Sequence, residues 1–434
     1  MNIAWSLLSS LTLSTALAPL VIHFPSAVAS RSNVHMTRLA AVDSLVFCAE
    51  AISERGNVTG PSIVAVGRLE YHDSEKIGYD VSSARSWLEH IEQSDGPLFG
   101  VGAYTVIRCD YTKPKQECKW KVWGLDFHTD RLCSSYRMLM QSVGSGFNDE
   151  LKSITIQRIV GVIDALLGES ARSLQHDDLT NTDLAHTLIL TVLVTPSRIY
   201  THSNETETYS MTATTIRGHA TFAGALLAQI GDDLPSPISV CLAIPIEPTA
   251  KAMSQMPRRH RESDDRVSPT AKISSWCRIR RPLEDPIRYK VYGVGEVLLV
   301  NKYLNGEYSF VDSLEILEGL TSNVFVIYKD GTIRTAQLPK VLPGYARHLV
   351  LDALDRVNGL VLDTSSAPTV HDAKAGLWSE VFVTSAIKLI VPVNRILIPS
   401  IGRGQQPTTL WQSNCEPKNH SFTRLIQSEI MKSG

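Results

Sequence analysis

One segment of this chain, residues 317–347, places the narrowest limits on the fold, because it predicts a strand, a tight turn and a helix start in that order. Val324–Ile327 is an apolar, mostly β-branched run that is typical of a buried strand. Asp330-Gly331 is a hairpin signal, and a returning strand is expected directly after it. Leu342-Pro343-Gly344 then predicts the start of a helix that runs to about Val357.

The start of that predicted helix favours an anion. The first turn of a helix leaves backbone N–H groups without intrahelical partners, and the positive end of the helix dipole lies there. Gly344 also allows an anion to come close to those groups. An ordinary hairpin packed on an ordinary helix explains the same residues, so the rest of the chain has to decide between the two interpretations.

Further segments occur in an order that gives the region a family resemblance. They are Gly100–Arg108, Phe127–Leu132, Thr270–Lys272, Glu380–Ser385 and Val391–Val393. Together with residues 317–347 they resemble the class IV pyridoxal-phosphate enzymes, which include branched-chain and D-amino-acid aminotransferases and aminodeoxychorismate lyases. The resemblance extends over about residues 95–395.

The resemblance implies an α/β (α+β) fold with a small N-terminal domain and a larger, barrel-like C-terminal domain. The chain has 434 residues and 43% hydrophobic content, which is enough for two cores. Two acids and two prolines at residues 232–237 predict the linker. The expected parts are a targeting extension over residues 1–35, an N-terminal domain over 36–233, a cofactor-binding domain over 238–402 and a polar, loosely ordered tail over 403–434.

The resemblance also assigns roles to individual residues. Lys272 would bind the aldehyde of pyridoxal 5'-phosphate covalently and move the substrate's Cα proton. Glu318 would pair with the pyridine nitrogen, and Arg131 would bind the phosphate. Backbone N–H groups of two turns would complete the phosphate site, at Gly344, Tyr345, Ala346, Ser385 and Ala386. Taken singly, the lysine, the glutamate and the arginine are equally typical of a protein surface.

The sequence departs from the family pattern at several positions. Ala346 and Ala386 stand where the family usually has threonine or serine, and each lost hydroxyl removes a hydrogen bond worth roughly 1.5–3 kcal/mol. The hydroxyls of residues 384–385 are candidates to replace these lost hydrogen bonds to the phosphate. Thr105 replaces a usual glutamate, and residues 276–277 occupy the neighbourhood where branched-chain aminotransferases have a tyrosine. These differences predict a divergent subgroup.

The favoured activity is transfer of an amino group from an amino acid to a 2-oxo acid, by a protein that the resemblance implies is a homodimer. Two alternatives stay open. An aminodeoxychorismate lyase would use the same lysine and cofactor to eliminate pyruvate, and a non-catalytic homologue would use the fold for binding or as a scaffold. The loops that set substrate specificity match no family template, so they do not identify the substrate.

Composition argues against several other classes of protein. The net charge is −2, aromatic residues make up 7%, and no basic stripe is visible, so nucleic acid is not an expected partner. The seven cysteines are scattered without a Cys-x-x-Cys pair or a histidine cluster, which predicts neither a zinc site nor a disulfide framework. The basic residues within 255–270 are accompanied by acids, so a solvated loop is favoured over a substrate-carboxylate site.

The N-terminus is typical of a targeting segment. Residues 4–24 are almost wholly apolar or hydroxylated, and residues 27–29 form a small-x-small cleavage pattern. The next stretch contains arginine, serine and threonine but no acid before Asp43, which is typical of a transit peptide. These patterns predict a plastid or another organelle, or the secretory route, whereas a true start at Met36 predicts the cytoplasm. Two prolines and a histidine argue against a stable membrane span.

Overall fold

The computed structural model describes residues 45–52, 63–70, 83–112, 119–144, 147–176, 186–203, 206–223, 234–243, 268–281, 283–284, 294–301, 312–399, 406–413 and 421–433. The predicted targeting segment and all the basic residues of the 255–270 loop lie outside these residues. No helix in the described ranges is both long enough and apolar enough to cross a membrane.

The first part of the chain forms a six-stranded antiparallel sheet. Its strands are β1 (Leu45–Ile52), β2 (Ile63–Glu70), β3 (Ala103–Thr112), β4 (Lys119–Val122), β5 (His186–Ser203) and β6 (Thr206–Ala223). Their order across the sheet is β2-β1-β6-β5-β3-β4. The apolar runs in the sequence predict strands over residues 62–67, 103–107, 118–125 and 188–195. The structure confirms these four strands as β2, β3, β4 and β5, whereas β1 and β6 had no sequence prediction.

Three helices cover this sheet: α1 (Ala84–Phe99), α2 (Leu125–Ser142) and α3 (Asp149–His176). Leu132, Tyr136 and Met140 of α2 recur at four-residue spacing and are buried, so this side of the helix packs into the core beneath the sheet. Side chains of α3 such as Ile159 and Ile163 join the same core. Helix α1 packs on the opposite face of the sheet, against Tyr104 and Leu193.

The second part of the chain forms a nine-stranded sheet. Its strands are β7 (Ile238–Leu242), β8 (Val294–Val300), β9 (Ile316–Gly319), β10 (Asn323–Tyr328), β11 (Thr332–Arg334), β12 (Val361–Asp363), β13 (Trp378–Ser385), β14 (Leu389–Ile398) and β15 (Thr408–Gln412). The order is β12-β11-β10-β13-β14-β7-β8-β9, β15 pairs with β14, and β9 also pairs with β10. The last pairing closes six of the strands into a barrel-like ring.

Side-chain alternation along β10 decides what lies inside that ring. Val324 and Val326 join apolar residues from all six ring strands in one core. Phe325 and Ile327 point to the outer face. The remaining helices of the described residues are α4 (Trp276–Ile279), α5 (Tyr345–Leu354), α6 (Val370–Lys374) and α7 (Phe422–Ser433). Two of them cover this outer face. Helices α5 and α7 provide this cover.

The predicted strand, hairpin and helix of the 317–347 segment are confirmed. The predicted helix begins at Tyr345 and ends at Leu354, three residues before the predicted end. Among the described strands, those of the six-stranded sheet end by residue 223 and those of the nine-stranded sheet start at residue 238. This change of sheet coincides with the predicted linker, but the division into domains stays a prediction.

The expectation of a loosely ordered tail is wrong for the described residues beyond 403. Strand β15 pairs with β14, and α7 buries Ile426 and Ile430 completely. The Glu380 carboxylate of β13 accepts hydrogen bonds from the N–H groups of Phe422 and Thr423 at 2.9 and 3.0 Å, which caps α7. Sequence reasoning missed this helix because its polar residues dominate the composition and only one side is apolar.

We expect Glu380→Ala to lower the free energy of unfolding by about 1.5–3 kcal/mol, because it removes charge-assisted hydrogen bonds at the start of α7. Glu380→Gln keeps an acceptor oxygen without the charge and should lose less. Urea denaturation of the three proteins measures the effect. Equal stability of the wild type and Glu380→Ala would contradict the assigned capping role.

Candidate active site

Three side chains from different elements converge on the backbone of Leu342–Gly344, just before α5. The Leu342 N–H donates to Glu318 Oε2 at 2.9 Å, and Asn323 Nδ2 donates to the Leu342 carbonyl at 2.9 Å. Arg131 Nη1 of α2 donates to the Pro343 carbonyl at 3.1 Å. The structure therefore brings Arg131, Glu318 and Gly344 together, although they are far apart in sequence.

Two glycines shape the start of α5. No side chain caps the helix at Gly344, and its first turn contains no acid. A Cβ atom on Gly344 would lie 2.2 Å from Asn323 Oδ1, so only glycine fits beside this asparagine. Tyr345 is seated against Gly124, whose φ of 61° and ring contact likewise require glycine. Ala346 is buried in the first turn.

Lys272 lies on a short segment that extends the edge of the six-stranded sheet. The Tyr104 N–H donates to the Lys272 carbonyl at 2.9 Å, and the Ser274 N–H donates to the Gly102 carbonyl at 2.8 Å. The Lys272 N–H donates to Ser135 Oγ of α2 at 3.0 Å. Lys272 Nζ lies 5.0 Å from the centre of the Tyr104 ring. The backbone of the lysine is thus fixed on two sides.

Arg131 sits in a buried network of neutral groups. Its Nη2 donates to Thr105 Oγ1 at 2.8 Å and lies 3.2 Å from His128 Nδ1, while Thr105 Oγ1 is 2.7 Å from the same nitrogen. Burial lowers the pKa of Arg131 to about 10, which leaves it positively charged at neutral pH. Burial first, and then the charges of Arg131 and Lys272, lower the pKa of His128 well below its ordinary value.

The second predicted phosphate turn follows β13. Ser385 Oγ accepts a hydrogen bond from the Lys388 N–H at 3.2 Å, which stabilises the turn. Arg108 Nη1 of β3 donates to the Ile387 carbonyl at 3.2 Å. The turn that contains Ser385 and Ala386 is therefore attached to the same strand, β3, that supplies Thr105.

A row of polar side chains crosses three neighbouring strands of the barrel-like sheet. Glu318 of β9 pairs with Asn323 of β10, and Asn323 pairs with Thr384 of β13. Residues directly opposite each other in antiparallel strands project to the same face of the sheet. Thr384 Oγ1 is buried and has no hydrogen-bond partner among the described residues. It is therefore a hydroxyl on the same face as Glu318 and Asn323.

Sequence reasoning assigned no site role to four residues that the structure brings to this region: Tyr104, Thr105, His128 and Asn323. Thr384, which was predicted as a candidate to compensate for the lost hydroxyls, lies on the same face of the sheet as Asn323. All five residues lie within the motif segments. Their position in those segments was the available signal, but a motif does not reveal which neighbouring side chains reach the site. For the assigned residues, the structure gives positions and contacts, while their roles stay predictions.

The sequence model of the amino-transferase class IV family matches residues 102–396. The chain belongs to this family. The matched region begins just before β3 and ends in β14, so it contains every predicted site residue. A comparison with curated proteins gave no match.

Several solved structures are similar to the chain. The branched-chain amino acid aminotransferase from Thermobaculum terrenum in its PLP form has a TM-score of 0.49 and 12% identity, covering 91% of this chain and 94% of that chain. A fold IV transaminase from Curtobacterium pusillum has a TM-score of 0.45 and 14% identity, and the match covers 81% of this chain and 92% of that chain. The branched-chain amino acid aminotransferase of Escherichia coli has a TM-score of 0.45 and 16% identity, covering 83% and 90%.

The described side chains fit pyridoxal phosphate, the cofactor that membership of this family implies. Arg131 is 8% exposed and makes no ion pair within the described residues, and its Nε has no hydrogen-bond partner there. A buried cation of this kind is stabilised by an anion such as a phosphate. The uncapped start of α5 favours the same group. No cluster in the described ranges could hold a metal ion.

His128 should make stability depend on pH. In the unfolded chain it binds a proton below about pH 6.5, whereas in the folded protein it stays neutral well below that value. Unfolding is therefore favoured as the pH falls below 6.5, by up to about 1.4 kcal/mol per pH unit. We expect His128→Gln to reduce the pH slope of the unfolding free energy in this range, as measured by urea denaturation. Equal slopes in both proteins would contradict a neutral, buried His128.

Proposed function

We propose that this protein is a pyridoxal-phosphate-dependent aminotransferase that moves an amino group from an amino acid to a 2-oxo acid. The observation that carries the proposal is the convergence of side chains on the start of α5. Arg131 and Glu318 both contact the backbone of residues 342–344, and the charge of Lys272 acts on His128 next to Arg131. A lysine, a carboxylate and a buried arginine, which are the groups that the proposal needs, thus lie in one region.

Lys272 is the residue that we propose carries the chemistry. Its Nζ would bind the cofactor's aldehyde carbon and afterwards accept the proton from the substrate's Cα. Tyr104 lies under this amine, and hydrogen bonds to Tyr104 and Ser135 fix the lysine backbone. Such fixed positioning limits the number of orientations from which the amine approaches its target.

Glu318 would hold a proton on the pyridine nitrogen. When bound, the cofactor withdraws electrons from the substrate's Cα through this protonated ring. The Leu342 N–H orients the Glu318 carboxylate, and Glu318 is 6% exposed. A buried, oriented carboxylate is a stronger partner for a cationic ring than one in water, because water screens the interaction less.

At the other end of the cofactor, Arg131 and the backbone N–H groups of Tyr345, Ala346, Ser385 and Ala386 would bind the phosphate. Thr384 Oγ1 supports this assignment, since it offers a buried hydroxyl on the strand that leads into the second turn. This hydroxyl would substitute for one of the hydroxyls lost at Ala346 and Ala386.

The first test of this proposal is an absorption spectrum. We expect the purified protein, incubated with excess pyridoxal phosphate, to develop the visible band of the cofactor joined to a protein lysine. Lys272→Ala should abolish the band, because no other amine would replace its Nζ. Lys329→Ala removes an exposed turn lysine and is the matched control, which should keep the band. A colourless wild-type protein would support the scaffold alternative instead.

A second test separates a transaminase from a lyase. We expect an amino-acid donor to remove the visible band and a 2-oxo acid to restore it, because the amino group moves to the cofactor and then to the acceptor. The absorbance change and the 2-oxo acid product are both measured. Release of pyruvate from aminodeoxychorismate, without any need for a second 2-oxo acid, would overturn the aminotransferase proposal and favour the lyase.

A further inference from the structure

Thr105 of β3 and His128 and Arg131 of α2 form a closed triangle of hydrogen-bonding groups. Thr105 Oγ1 lies 2.7 Å from His128 Nδ1 and 2.8 Å from Arg131 Nη2. Arg131 Nη2 lies 3.2 Å from His128 Nδ1. Their side chains are 1%, 0% and 8% exposed, so water does not take the place of any partner. Among the described residues, this guanidinium also donates to the Pro343 carbonyl, and its Cζ lies 5.5 Å from the centre of the Phe127 ring.

The direction of each hydrogen bond follows from the chemistry of the three groups. Arginine has only donors, so Thr105 Oγ1 accepts from Arg131 and has its own proton free to donate to His128 Nδ1. Arg131 Nη2 also lies 3.2 Å from His128 Nδ1 and can only donate, so Nδ1 is an acceptor and the neutral imidazole carries its proton on Nε2. The threonine hydroxyl thus orients the imidazole and the guanidinium at the same time.

None of these partners neutralises the charge on Arg131. A hydroxyl, a neutral imidazole nitrogen and a carbonyl are its acceptors, and it makes no ion pair within the described residues. An acid at position 105 would place a carboxylate directly against the guanidinium. The hydroxyl instead keeps the guanidinium in place and leaves its full charge for a ligand.

We infer that Thr105 and His128 are positioning residues that hold Arg131 as an unneutralised cation, so that the site selects a phosphorylated cofactor over its unphosphorylated form. This inference rests on the proposed function for the identity of the cofactor. A purely structural role for Thr105 would change stability without changing the preference for phosphate.

The test measures dissociation constants of the cofactor-free protein for pyridoxal phosphate, for pyridoxal and for inorganic phosphate, by tryptophan fluorescence. In the wild type we expect pyridoxal phosphate to bind much more tightly than pyridoxal. Thr105→Glu should reduce that ratio on the order of 10- to 100-fold, because its carboxylate pairs with Arg131. Inorganic phosphate affinity should fall in parallel, while affinity for pyridoxal stays within about twofold of the wild-type value.

Two further variants protect the test against misfolding of Thr105→Glu. Thr105→Val removes the hydroxyl at nearly constant volume and should reduce the ratio by about tenfold, since one hydrogen bond to a charged group is lost. Thr105→Ser keeps the hydroxyl and should retain the wild-type ratio. Thr191→Val is the matched control, because Thr191 is also buried in this sheet and its hydroxyl has no partner among the described residues.

Arg131→Ala separates failure of this inference from failure of the proposed function. If Arg131→Ala loses the preference for phosphate but Thr105→Val and Thr105→Glu keep it, the positioning role is wrong and the proposed cofactor site stands. If the wild type binds neither pyridoxal phosphate nor pyridoxal, the proposed function fails. The inorganic phosphate series then still decides the role of Thr105, because it requires only the anion and Arg131.

Discussion

The whole arrangement depends on how the backbone of Leu342–Gly344 is held. This segment precedes a helix and follows no strand, so its polar groups have no regular ladder to join. Glu318 of β9 and Asn323 of β10 supply two of its partners from the barrel-like sheet. Arg131 supplies the third from α2, which packs on the six-stranded sheet. The contacts that satisfy this backbone therefore also join the two sheets at the candidate active site.

The charges at the site are organised for a ligand that carries both signs. Glu318 accepts from the Leu342 N–H and Arg131 donates to the Pro343 carbonyl, while the uncapped start of α5 adds positive character beside Arg131. His128 contributes no charge, because burial and two neighbouring cations keep it neutral. A pyridine ring with a phosphate has a site for a positive charge at its nitrogen and a negative charge at its phosphate, so the proposed roles of Glu318 and Arg131 give each of these groups a partner of opposite sign.

The sequence predicted local structure better than long-range contacts. The run Val324–Ile327 and its hairpin have strong periodicity and turn chemistry, so they were predicted correctly. The closure of the barrel by β9 and β10 depends on tertiary packing, which no local pattern reveals. Helix α7 was missed although Phe422, Ile426 and Ile430 recur at four-residue spacing, because polar residues dominate its composition. The site residues were found through motif order, but the contact between Arg131 and Pro343 joins positions 212 apart. From the sequence, Thr105 was recognised only as a departure from the family's usual glutamate. Its contact with Arg131 depends on how β3 and α2 pack together, which the sequence does not reveal.

The departures at the phosphate end change affinity in opposite directions. Loss of hydroxyls at Ala346 and Ala386 removes hydrogen bonds worth roughly 1.5–3 kcal/mol each. Arg131 makes no ion pair within the described residues, so the ligand gains an interaction that an internal carboxylate would otherwise take. Measured coupling energies of close charge pairs are about 1.5–7 kcal/mol. The two effects are comparable in size. A site with fewer hydroxyls but an unneutralised arginine can therefore retain its phosphate affinity, which is the physical reason to treat Thr105, Ala346 and Ala386 as one set of changes.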